Sequence, residues 1–101
     1  MTQQEEKIEF DNMVKELEEL LFTKGKEYST EKDVLDNFKK GEEIGVSSKQ
    51  KLFIYLDKHL SSIKSYIKNN GVYSTESIDS RICDACNYLF LLRCLIKDET
   101  R

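Results

Sequence analysis

The sequence is informative first through what it lacks. It contains no proline and no tryptophan, and its four glycines fall between segments of regular hydrophobic spacing. Without proline nothing forces a helix to break, and the glycines predict where helices end. No window approaches the ~18 apolar residues of a membrane span, and the acidic start MTQQEEKIEF is unlike a signal peptide. We therefore expect a cytoplasmic protein without a membrane partner.

Neither sign of charge predominates strongly, and the few cysteines do not form the pattern of a disulfide framework. The 16 basic and 19 acidic residues give a net charge of -3 and no block of either sign, so no DNA-binding face is expected. The three cysteines are an odd number close together, which is typical of a reducing compartment. Cys83 and Cys86 have zinc-site spacing, but Cys94 would lie about 16 Å from Cys83 along one helix, too far to share a metal ion with it. We interpret all three as small core residues.

The spacing of apolar residues indicates helices throughout. At 101 residues the chain fits a single helical domain, 1–101. Apolar side chains recur three and four residues apart in four segments, which is typical of amphipathic helices. The sequence therefore predicts an all-α, compact bundle of about four helices, at 3–22, 30–40, 47–70 and 75–97.

Serine and threonine mark the predicted helix starts. Ser47 and Gln50 have the spacing of a capping box before the third helix. The word YSTE occurs twice, once before the second helix and once before the fourth. Thr30 in the first copy and Ser74 in the second are expected to supply N-cap oxygens. We therefore interpret the repeated word as helix capping and not as a duplicated unit.

The fourth predicted helix is apolar around most of its circumference. A helix of this kind lies at the centre of a bundle or is shared between subunits. A chain of this length also buries only a modest core. We expect the fourth helix to be central and the protein to be a homo-oligomer. One line of apolar side chains on this helix alternates four and three residues apart: Ile78, Ile82, Ala85, Leu89, Leu92 and Ile96.

Polar side chains on this apolar helix are candidate site residues. Asp84 and Asn87 are one turn apart and share a face. A buried carboxylate needs a partner, so Asp84 either makes a structural hydrogen bond, to Lys58, His59 or a loop amide, or belongs to a ligand or metal site. His59 is either a satisfied core residue or a functional group, and Lys58 is either a surface lysine or lies at a pocket mouth.

The segment TKGKEYS is a second candidate. Lys24 and Lys26 flank a glycine and precede a predicted helix N-terminus, whose N–H groups favour anions. Tyr28 offers a ring on which a base can stack. The alternative is that the lysines only offset the dipole of the preceding helix. The segment has the ingredients of a phosphate or nucleotide pocket.

The segments KGKEYS, DNFKKGEEIGV, DKHLSSI and ESIDSRICDACNYLFLL resemble, in that order, a set of small, mostly phage-encoded helical proteins of unassigned function. The resemblance spans residues 24–93 and adds Asn37 of the Asn-Phe pair to the candidates. It implies a viral protein in the cytoplasm of an infected bacterium. Some relatives are grouped with nucleotide-modification loci, which implies a link to nucleotides.

A second resemblance is to the MazG-like all-α nucleoside triphosphate pyrophosphohydrolases, whose EExxE and ExxD motifs hold magnesium. Glu5, Glu6 and Glu9 spell EExxE, and Glu76 with Asp79 spells ExxD. The resemblance implies that these five carboxylates are magnesium ligands and that the metal activates water.

Three functions are compatible with these observations. The first, which we favour, is binding without catalysis and without a cofactor: a phage-type protein that sequesters a nucleotide or cyclic nucleotide, such as a second messenger of host defence. The second is a magnesium-dependent pyrophosphohydrolase, and the third is an inhibitor that binds a host protein. The residues expected to line the nucleotide site are Lys24, Lys26, Tyr28, Asn37, Lys58, His59, Asp84 and Asn87.

Overall fold

The computed structural model describes residues 1–24, 35–72 and 76–100, and of Lys24 only the backbone. These ranges hold four α-helices and no strand, which confirms the predicted all-α bundle. None of the helices in these ranges combines the length and the apolarity needed to cross a membrane. The elements are α1 (Gln3–Glu19), a π-helical segment (Leu20–Lys24), α2 (Asp36–Lys39), a 3-10 turn (Glu42–Ile44), α3 (Ser48–Asn69) and α4 (Ile78–Glu99).

The fourth helix begins later than predicted, and the predicted start of the second lies outside the described residues. α2 begins at Asp36, and the predicted start at Thr30 lies outside the described residues. α4 begins at Ile78 because the Ser77 side chain accepts a hydrogen bond from the backbone N–H of Ser80 at 3.2 Å. The prediction that the fourth helix starts at 75 is therefore wrong. Ser77 caps this helix, and Ser74, which was predicted to do so, lies outside the described residues.

The two ends of α3 agree with the sequence. The Ser47 hydroxyl accepts from the Gln50 N–H at 3.1 Å, and the Gln50 side chain accepts from the Ser47 N–H at 2.9 Å, which confirms the capping box. At the other end Asn70 and Gly71 have φ angles of 51° and 75°. A Cβ added at Gly71 would lie 2.7 Å from Tyr66 Cε2. The left-handed backbone therefore favours glycine at this turn, and a side chain there would also have to displace the Tyr66 ring.

The buried core lies between α2, α3 and α4. Phe38 of α2 and Leu35, the residue before that helix, form one cluster with Leu52 of α3 and Leu95 of α4. Leu56 of α3 is also buried. Further side chains of α4 pack against this cluster, namely Tyr88, Leu91, Leu92 and Cys94.

α1 is attached to the rest of the molecule near its C-terminal end. It contains no buried residue. Its contact with α4 includes a hydrogen bond that the Cys83 thiol donates to Glu16 Oε2 at 3.1 Å. The radius of gyration is 15.6 Å, whereas a compact domain of this length has roughly 12.7 Å. The chain is therefore more extended than a compact domain of the same length.

The predicted apolar line of α4 is only partly covered by its own chain. Ala85 is buried, but Ile82 keeps 38%, Leu89 52% and Ile96 46% of its surface exposed. α4 packs along α3 and also meets α1, and the buried Leu95 lies outside this line. The expectations that α4 is central in the bundle and that the protein is a homo-oligomer stay predictions at this point.

Candidate functional site

Asp84 on α4 faces His59 on α3. Asp84 Oδ2 lies 3.8 Å from His59 Nδ1, which is too long for a hydrogen bond and short enough for an ion pair. The side chains are 29% (Asp84) and 26% (His59) exposed. The pair therefore lies at the edge of the α3–α4 interface, where a solute can approach it. Of the partners expected for Asp84, His59 is the one that the structure places beside it.

His59 belongs to a column of stacked rings, which we call the ring column: Tyr55, Tyr88 and His59. The ring centroids of Tyr88 and His59 are 5.1 Å apart with an interplanar angle of 27°, and those of Tyr55 and Tyr88 are 6.0 Å apart at 16°. Phe38 places its edge against both tyrosines, with centroids 6.4 Å away in each case. The ring column is thereby connected to the buried cluster and held in place by it.

Tyr88 stacks with both other rings of the ring column, and the charge of Asp84 affects its pKa. Burial raises the pKa of Tyr88 above its ordinary value of 10.0, and the neighbouring Asp84 carboxylate and Tyr55 raise it further. The phenol is therefore neutral at physiological pH. A neutral phenol keeps its O–H as a hydrogen-bond donor beside the carboxylate.

Asn87, one turn after Asp84, carries an unsatisfied acceptor. Its Oδ1 atom is buried and has no hydrogen-bond partner within the described parts of the chain. An unpaired buried polar atom costs roughly 1–3 kcal/mol, and such atoms are rare enough in folded proteins to require an explanation. A ligand that donates a hydrogen bond to this oxygen would recover that energy.

An acidic cleft of about 270 Å³ separates the end of α1 from the first turns of α4. Asp84 lines this cleft and also faces His59, so it is shared between the cleft and the ring column. Cys83 lies at the base of the α1 contact, and burial, together with the hydrogen bond to Glu16, raises its pKa from 9.0 to about 12. The lining residues are Glu16, Glu19, Leu20, Ser77, Asp79, Ser80, Cys83 and Asp84.

The structure brings some of the predicted nucleotide-site residues together and leaves others apart or outside its description. His59 and Asp84 are adjacent, with Asn87 one turn along the same helix. Lys58 is exposed on α3, and Asn37 is exposed on α2, where its carbonyl accepts a hydrogen bond from Lys51 Nζ at 2.7 Å. The backbone of Lys24 ends the π-helical segment, four residues after Leu20 of the cleft, whereas Lys26 and Tyr28 lie outside the described residues.

The carboxylates of the MazG-like alternative are divided between two places. Glu5, Glu6 and Glu9 are exposed in the first half of α1, about 10 Å or more along the helix from Glu16. Asp79 lines the acidic cleft, and Glu76 Oε2 lies 3.8 Å from Arg81 Nε. Within the described residues no three His, Cys, Asp or Glu side chains are grouped so that they could hold a metal ion.

Sequence reasoning missed the two tyrosines of the ring column and the two glutamates of the cleft. Tyr55 precedes His59 by four residues and Tyr88 follows Asp84 by four, so helical spacing indicates both tyrosines once the pair is suspected. No comparable local signal marks Glu16 or Glu19 among the many acidic residues of α1, because their role depends on how α1 meets α4. No family model, curated protein or solved structure matches this chain.

Proposed function

We propose that this protein binds a nucleotide at the edge of the α3–α4 interface. The observation that carries the proposal is the buried, unpartnered Oδ1 of Asn87, one turn from an Asp84 carboxylate that is beside His59 but not hydrogen-bonded to it. Polar groups held in this way are suited to the donors on the edge of a nucleobase. The resemblance to phage-encoded proteins supports a role in sequestering a nucleotide second messenger of host defence.

The ring column supplies the second element of such a site. Its order is Tyr55, Tyr88 and His59, so a base that stacks on the outer face of His59 extends the column by one ring close to Asp84. Base stacking on a protein ring contributes roughly 1–3 kcal/mol. The rings are packed before a ligand arrives, so little conformational freedom is lost on binding.

The phosphates belong on a different side from the base. The cleft beside Asp84 is lined by carboxylates, which repel phosphate. Lys24 ends the π-helical segment and Lys26 follows it, so these two basic residues come four and six residues after Leu20 of the cleft. We therefore assign the base to Asp84 and Asn87 and the phosphates to these lysines.

Isothermal titration calorimetry with mononucleotides, cyclic dinucleotides and cyclic trinucleotides tests the proposal. Binding of one class is expected, and Asn87→Ala should weaken it by about tenfold, because a net hydrogen bond contributes roughly 0.5–1.5 kcal/mol. Asp84→Asn should also weaken it. The matched controls are Asn12→Ala and Asp57→Asn, both exposed on other helices. No heat with any nucleotide class, or equal losses in the controls, contradicts the proposal.

The second candidate is the magnesium-dependent pyrophosphohydrolase, for which the described residues offer a cleft lined by four carboxylates but no group of side chains close enough together to hold a metal ion. Asp79 of the ExxD motif shares a cleft with Glu16, Glu19 and Asp84 on two facing helices. Pyrophosphate release from a panel of nucleoside triphosphates with Mg²⁺ separates turnover from simple capture. Glu16→Gln and Asp79→Asn should abolish such turnover, and the exposed Glu5→Gln should abolish it as well only if the EExxE motif of α1 takes part.

A further inference from the structure

We propose that α4 pairs with α4 of a second copy of this chain in an antiparallel, two-fold arrangement. The contact would be the α4 seam, defined as Ile78, Ile82, Ala85, Leu89, Leu92 and Ile96. Spacing of four and three residues is the heptad pattern of a helix that packs against another helix along one line. In this molecule the α4 seam is exposed at Ile82, Leu89 and Ile96, so its own chain does not complete the packing.

The surface area of the chain is consistent with a missing partner. Its accessible surface is 8096 Å², whereas a compact monomer of 11.9 kDa exposes roughly 5,900 Å². A stable interface covers roughly 800 Å² on each partner. Part of this excess belongs to α1, which has no buried residue, and the excess as a whole is larger than the area that an interface of ordinary size covers on one partner. Within the described residues, large apolar side chains that are exposed also outnumber those that are buried.

One flank of the α4 seam is occupied by α3. Arg81 Nη1 donates a hydrogen bond to the Ser62 carbonyl at 3.3 Å, and Tyr88 stacks on His59. Arg81, Tyr88 and Leu95 are seven residues apart and form this flank, and Leu95 is buried in the core cluster. A second copy must therefore approach from the other flank.

The other flank, which we call the open flank, carries Asp79, Cys86 and Arg93, again seven residues apart, and at its first residue, Asp79, it borders the cleft beside α1. Asp79 and Arg93 are exposed and have opposite charges. They are about 21 Å apart along one helix, so they do not pair within a chain. A parallel partner would place this flank against the flank of Arg81, Tyr88 and Leu95. Residues five positions apart then face each other, so Arg81 meets Cys86, Tyr88 meets Arg93, and no pair of opposite charges forms.

An antiparallel partner gives a different result. With the two-fold axis near Cys86 and Asn87, every layer of the α4 seam is apolar: Ile78 meets Ile96, Ile82 meets Leu92, and Ala85 meets Leu89 of the other copy. On the open flank Asp79 then lies beside Arg93 of the partner subunit. The symmetry repeats this pair, so two ion pairs form. Charge pairing at such flanking positions is what sets the direction of paired helices.

A charge exchange tests the orientation. Asp79→Lys and Arg93→Glu each place like charges together twice in a homodimer, so each variant alone should dissociate at least tenfold more readily than the unchanged protein. A mixture of the two variants restores both pairs of opposite charge and should re-form a dimer of twice 11.9 kDa in sedimentation or light scattering. The double variant should dimerise by itself. Circular dichroism of each variant confirms that its helices are retained.

A second variant pair guards against effects on folding. Leu89→Lys places a charge in the α4 seam, and Phe53→Lys places one at a similarly exposed apolar position on α3. Only Leu89→Lys should produce monomers.

Cys86 provides a further probe, because it lies near the proposed two-fold axis. A short bis-maleimide should link two copies in a variant whose single cysteine is Cys86, and should not link them in a variant whose single cysteine is Cys94. A monomeric unchanged protein at high concentration, a mixture that stays monomeric, or equal linking through Cys94 would overturn the proposal, as would an α4 seam that binds only an unrelated protein.

Discussion

α1 and the α3–α4 pair are both made of amphipathic helices, yet they are attached to the fold in different ways. α3 and α4 pack along each other and contribute Leu52 and Leu95 to the buried cluster. α1 has an N-cap, at Thr2, but no buried residue, and it meets α4 near its last turns. The comparison shows that caps and spacing are sufficient to define a helix, whereas its contribution to global stability depends on burial.

The largest expected difference between the two regions is in unfolding free energy. Leu52→Ala removes a fully buried side chain and should lower the free energy of unfolding by about 2–5 kcal/mol. Phe10→Ala, on the exposed side of α1, should change it by less than about 0.5 kcal/mol. Urea denaturation followed by circular dichroism measures both. Similar losses in the two variants would mean that α1 is buried in solution.

Matched cap removals give a smaller difference. Ser47→Ala deletes a capping box in the cooperative core and should cost about 1 kcal/mol. The Thr2 hydroxyl accepts a hydrogen bond from the Glu5 N–H at 3.1 Å, but Thr2→Ala should reduce only the helicity of α1, because that helix end unfolds without the core. Urea titration reports the first effect and amide exchange the second. A shift of the urea midpoint by Thr2→Ala would show that the two regions unfold together.

The smallest effect concerns the α1–α4 contact itself. Burial and Glu16 raise the pKa of Cys83 from 9.0 to about 12, so the fold favours the neutral thiol. The resulting stabilisation is complete below pH 9.0 and is lost as the pH rises towards about 12. At pH 9.0 iodoacetamide should label Cys83 more slowly in the folded protein than in urea. Glu16→Gln should speed labelling while changing stability at neutral pH by less than about 0.5 kcal/mol. Equal rates in the folded and urea-unfolded protein would contradict the raised pKa.

Much of the fold follows from local sequence signals. The capping box of α3 and the end of α3 before a glycine were predicted because their hydrogen bonds and backbone angles depend on neighbouring residues alone. The start of α4 was not, since three serines and threonines in YSTES compete for the cap and local spacing does not decide between Ser74 and Ser77.

Less of the candidate site could be predicted from the sequence. Asp84 and His59 were suspected because polar groups on apolar helix faces need partners, and the structure places them together. The order of the rings around Tyr88 depends on the register of α3 against α4, which the spacing within either helix does not contain. The glutamates of the cleft depend in the same way on where α1 meets α4.

The turn after α3 has a consequence for how this chain can change over generations. Position 71 combines a left-handed backbone with a ring already in contact, so a side chain there would have to displace Tyr66 as well as strain the peptide. Gly45 also has a positive φ, of 87°, but open space around it. In a saturation library selected for folding, asparagine and aspartate should therefore be recovered at 45 and glycine alone at 71.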